Sequence, residues 1–152
     1  MMASNVQVAA DDFRVGPRVQ KAWGLHMATA FFFGEAGAGL YFVSYFFDFV
    51  AGMAVGLLMV LFGKAGGHLL HLGQPLRGWR AFTKVRTSWV SRGLLAIVVF
   101  VPAGALHVFD LQNGLLPGPV AGLASAAALL ACLVIMVYQG FAMSHSSAIT
   151  LW

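Results

Sequence analysis

Apolar side chains run along this chain in four blocks, at about Trp23 to Phe47, Phe49 to His71, Gly93 to Val108 and Val120 to Phe141. A helix needs about 20 residues to cross a bilayer, so the pattern predicts four spans that nearly use up the chain. The polar positions between the blocks predict how the spans connect. Asp48 alone separates the first two, which makes them a tight helical hairpin. Residues 72–91 form a basic loop, and Asp110 to Pro119 carries enough Gly, Pro and Asn to read as a turn rather than a helix. The expected fold is an all-α integral membrane protein, a four-transmembrane-helix antiparallel bundle with an N-terminal arm over residues 1–22 and a tail over 142–152.

Composition strengthens the membrane reading. Of 152 residues, 60% are hydrophobic and 9% charged, whereas a soluble domain carries about 25% charged residues. The mean hydropathy is +0.83. No soluble catalytic domain fits between the spans. The single cysteine, Cys132, lies inside the last block, so this chain alone builds neither a disulfide nor an iron–sulfur cluster. The arm does not have the pattern of a cleaved signal peptide, and the apolar end at Leu151-Trp152 reads as the first half of something longer.

The net charge of +4 does not point to nucleic acid, because the cations flank membrane spans. With four spans, Arg14, Arg18, Lys21, Arg77, Arg80, Lys84, Arg86 and Arg92 share one side, and Asp48 and Asp110 mark the other. The positive-inside rule places the basic side, both termini included, in the cytoplasm.

Small residues predict helix packing. Gly52, Gly56, Gly63 and Gly67 fall on one face of span two, and Gly122, Ser125 and Ala126 make span four the expected neighbour. Gly34-Glu-Ala-Gly-Ala-Gly39 resembles a nucleotide loop, but it lies within a span with no strand before it and is set aside.

Ionisable groups within the spans carry the candidate chemistry, since each costs several kcal/mol in hydrocarbon unless paired or wet. Lys64, His68 and His71 are spaced as one polar stripe on span two, and His26 on span one lies at a depth where it could meet His68. Tyr138-Gln139 ends span four on the same side. Such a convergence suits a quinone, which needs an apolar slot, a hydrogen-bond partner at each carbonyl and a proton acceptor. Interfacial histidines bonded to backbone or headgroups, and a bis-histidine haem held by His26 and His68, are the competing readings. Glu35, about 18 Å below Trp23 by helical rise, has Lys64 as its nearest partner although their depths differ by roughly 8 Å. It is either half of a structural ion pair or a carboxyl on a proton path with Lys64 and His68.

If residues 72–91 are helical after Pro75, Trp79, Phe82, Val85 and Trp89 share one arc, and Arg77, Arg80 and Lys84 another, as in an amphipathic segment lying in the interface. With Arg86 they form an outward basic edge for anionic lipid or an acidic subunit. Here a resemblance appears. His71-Leu-Gly-Gln-Pro-Leu-Arg77, Trp79-Arg-Ala and Thr87-Ser-Trp-Val-Ser-Arg92 resemble the loop after the second span in the NrfD/polysulfide reductase membrane-subunit family and the related DMSO reductase anchor subunits. His26 ahead of Gly34 to Gly39, and Tyr138-Gln-Gly140, are similar to the same family.

The resemblance implies a quinone-reactive membrane subunit, without haem, located in a bacterial inner membrane, that exchanges electrons between menaquinone or ubiquinone and an iron–sulfur subunit joined to a molybdopterin catalytic subunit. Carried over by position, His26, His71, Arg77 and Tyr138 would surround the quinone, while Lys64 and His68 have no match. Family members normally have eight or more spans, so this chain would be the quinone-binding half, calling for a second membrane bundle, and Gln139 departs from the small residue commoner after the tyrosine. Many relatives dock their partner outside the cytoplasm, on the face that carries the loop, in conflict with the charge rule. A haem-b anchor and a non-redox anchoring or assembly subunit are the alternatives.

Overall fold

In the computed structural model, residues 24–71 and 75–144 are described, and side chains at 71 and 75–77 are not. The arm expected over 1–22 and the tail beyond Ser144 lie outside the described residues. Every described element is helical.

Helix α1, Leu25–Phe46, is 22 residues and about 33 Å long. It closes on a very short turn in which Asp48 adopts a positive φ of 50°, a left-handed geometry that Asp tolerates better than most residues. The Phe49 N–H donates back to the Ser44 carbonyl at 2.9 Å. The second rod begins as α2, Val50–Leu58, passes through a π-helical stretch, Met59–Ala65, and ends as α3, Gly66–His71. A 3₁₀ segment, Pro75–Lys84, leads to α4, Trp89–Asn113, and then to α5, Gly118–Ser144.

Three rods, Val50–Leu70, Trp89–Asn113 and Gly118–Ser144, are long and apolar enough to cross a membrane. Helix α1 has the length, but Glu35 and His26 dilute its apolar character. The distribution of side chains is that of a protein in lipid: Lys64 is fully buried while Leu70, Leu123 and Phe62 are exposed.

Two expectations are corrected. The third helix runs beyond the 93–108 block at both ends and includes Asp110 to Asn113, which the sequence pattern assigns to a turn. Ser88 caps its start by accepting from the Ser91 N–H. At its end Gly114 takes the left-handed conformation (φ 61°), and Asp110 accepts the Leu116 N–H at 2.8 Å. The polar residues thus close the helix instead of breaking it. Pro119 falls in the first turn of α5, where its missing N–H has no intrahelical partner to lose.

The neighbour of the span-two glycines is also α1 rather than span four. A Cβ on Gly56 would collide with the Gly37 carbonyl and Tyr41, one on Gly63 with Phe33, and one on Gly67 with Ala30. Helix α1 answers with its own buried small face, Ala30, Gly34, Gly37, Ala38 and Ser44. The segment that resembles a nucleotide loop is therefore half of a close helix contact. Helix α5 packs against α1 and most extensively against α4, and α2 packs against α4, which closes the bundle around Tyr41, Met53, Phe100 and Ile135.

Candidate functional site

Glu35 and Lys64 meet directly, with Nζ 3.0 Å from Oε1. Lys64 is one of the two buried residues of the π-helical stretch. Its i→i+5 bonding admits an extra residue per turn and so changes which side chain faces α1. Gly34 leaves the lysine its path, since a Cβ there would overlap the Lys64 side chain. The ammonium also lies over the Tyr138 ring, 4.6 Å from its centroid, and 5.9 Å from that of Phe31. Tyr138 is buried, seated where Gly93 on α4 offers no side chain. The carboxylate, ammonium and phenol ring thus come from three rods to one point inside the bundle. Glu35 Oε2 and Gln139 Oε1 are buried with no hydrogen-bond partner among the described residues.

A cavity of about 420 Å³ lies on another side of the second rod, with none of Glu35, Lys64 or Tyr138 in its lining, and its size is within the range of about 300–1,000 Å³ that holds small ligands. Met27, Ala65, His68, Phe82, Leu94 and Ile97 are among its walls, so α1, the second rod, the 3₁₀ segment and α4 all contribute. The 3₁₀ geometry stacks residues three apart, which brings Gly78 and Ala81 to the cavity as a low floor. His68 is half-buried, and the Phe31 ring meets it edge-on at 6.1 Å.

The predicted stripe on the second rod divides. Lys64 turns into the bundle toward α1 and α5, and His68 turns to the cavity. His26 is exposed, and its neighbour Met27 reaches the cavity. The side chains of His71 and Arg77 lie outside the described residues. Arg80, Lys84 and Arg86 are exposed, which leaves the basic edge open.

One buried pair escaped the sequence reading. The Tyr41 hydroxyl and His107 Nδ1 share a 2.8 Å hydrogen bond in the half of the bundle nearer Asp48 and Asp110, with Tyr45 at 5.3 Å from the imidazole. Its signal was a tyrosine on the small-residue face of α1 at the depth of His107, legible only once the α1–α4 neighbourhood is known.

Over 66 residues the chain is 35% identical to a subunit of the sulfite dehydrogenase of Allochromatium vinosum, a stretch covering 41% of this chain and 20% of that protein. The chain spans about a fifth of the length of the curated relative it matches. No family model matches. No solved structure matches. The protein is thus a membrane protein, helical in every described element, that is similar, over part of its length, to a subunit of an oxidoreductase.

Proposed function

We propose that this chain is the quinone-reactive membrane subunit of a multi-subunit oxidoreductase, a bundle in which α1 is the fourth span. It exchanges electrons between the quinone pool and a docked iron–sulfur subunit that serves a molybdopterin enzyme. The observation that carries this reading is the apolar cavity of about 420 Å³ with an imidazole in its wall. It combines a slot for a ring with a group able to bond a carbonyl and take up a proton. The likeness to a sulfite dehydrogenase subunit supports the class of complex, and the loop from His71 to Arg92 supports the family.

In this reading His68 contacts the quinone; of the groups that the family resemblance names, His26, His71, Arg77 and Tyr138, neither His26 nor Tyr138 lines this cavity, and any part they take is at its approaches. Glu35 and Lys64 hold the proton path, because Glu35 Oε2 is a buried acceptor without a partner among the described residues. Such an atom calls for water or a transient proton. Arg80, Lys84 and Arg86 offer the basic edge to the partner subunit.

The test is made on the intact native complex. A photoreactive quinone should label the stretch containing His68 or the 3₁₀ segment, and His68→Leu should lower quinol turnover by about 100-fold or more, the scale of a lost acid–base group. Unchanged turnover in His68→Leu, His71→Ala and Tyr138→Phe, together with labelling elsewhere, overturns the reading.

A further inference from the structure

A second trough lies between α4 and α5, on the other side of α4 from the His68 cavity, and it has a volume of about 490 Å³. Ala96, Ala127 and Ala131 supply small residues along it, and Leu95, Val99 and Leu130 the larger apolar ones. From Trp89 to Val99 it follows α4 for about 15 Å. That is half the roughly 30 Å hydrocarbon core of a bilayer, the depth of one leaflet.

The polar member of this lining is Arg92. Its guanidinium is held in place: Nε donates to the Val85 carbonyl at 3.0 Å, Nη2 donates to the Arg86 carbonyl at 2.8 Å, and the group lies 4.2 Å from the Trp89 ring centroid. Trp89 in turn stacks on Phe141 at 4.3 Å, tying α4 to α5 at the mouth of the trough. Arg86 and Lys84 stand on the same turn. The described carboxylates lie elsewhere, since Glu35 is engaged by Lys64 inside the bundle and Asp48 and Asp110 are at the opposite end of the helices.

We propose that this trough is a binding site for one anionic phospholipid, with an acyl chain along α4 and α5 and the phosphate at Arg92. A quinone fits the trough less well, because the lining offers a fixed positive charge and no imidazole or carboxylate to exchange protons. Charge complementarity selects the headgroup, and the one-leaflet length selects the chain. A planar guanidinium with its stem fixed by two carbonyls is prepared for a phosphate before the lipid arrives.

Native mass spectrometry of the protein in nanodiscs containing equal phosphatidylglycerol and phosphatidylcholine tests the proposal. One phosphatidylglycerol should be retained on the wild type at least fivefold over phosphatidylcholine. Arg92→Gln should abolish that preference, Ala127→Phe should remove the bound lipid by filling the half-buried trough, and Arg80→Gln on the exposed loop should leave it intact. Equal retention of the two lipids, retention of a quinone in their place, or an unchanged preference in Arg92→Gln overturns it. If Arg92→Gln fails to fold by circular dichroism, an unchanged preference in Ala127→Phe overturns it equally.

Discussion

Lys64 has no exposed surface, while Leu70, about one and a half turns further along the same rod, is 78% exposed. In water this would be inverted; in lipid it follows from solvation, because leucine gains nothing by leaving the acyl chains and an ammonium must find an anion. The pair with Glu35 is therefore a condition for burying Lys64, while the Glu35 side chain keeps about a third of its surface exposed. Lys64→Met should cost about 1–3 kcal/mol of thermal stability by leaving the part-buried carboxylate without its partner. The double change Lys64→Met with Glu35→Gln should recover most of it, and melting temperatures of the purified protein in one detergent compare the two. A double variant no more stable than the single one would show that the groups are not coupled. At the other end, Tyr41→Phe should cost about 1–3 kcal/mol, since it strips His107 of a buried hydrogen bond.

At the scale of elements, close approach of helices depends on missing side chains. Gly93 is where the Tyr138 ring sits, so Gly93→Ala should destabilise by about 1–3 kcal/mol through overpacking. Gly122, in α5 with open space around its absent Cβ, is the control: Gly122→Ala should be neutral or stabilising by about 0.5–1 kcal/mol. Parallel melts of the two variants distinguish packing from helix propensity. The span-two glycines were legible as a contact face from their spacing, but their partner was not. Both α1 and α5 offer small residues, and the short turn at Asp48 settles the matter by holding α1 against the glycines from Gly52 onward.

For the molecule as a whole, the path of α1 decides between three and four crossings. Gly24→Cys and Thr87→Cys should react with an impermeant maleimide from one side of sealed vesicles, and Phe47→Cys from the other. Cys132, fully buried, should stay silent as background. Reaction of Gly24→Cys from the Phe47 side would place α1 flat or outside the bilayer.

The amino-acid pattern by itself determined the solvent of this protein, its long apolar rods and the basic end they share, because transfer of side chains between water and hydrocarbon is summed residue by residue. It also marked Glu35, Lys64 and Tyr138 as unusual. Only the tertiary structure decided that these three meet. The π-helical stretch sets where Lys64 points, and Gly34 and Gly93 leave the room, none of which helical periodicity can report. The cavity beside His68 was equally out of reach, since its walls come from four elements and a void is a property of their packing.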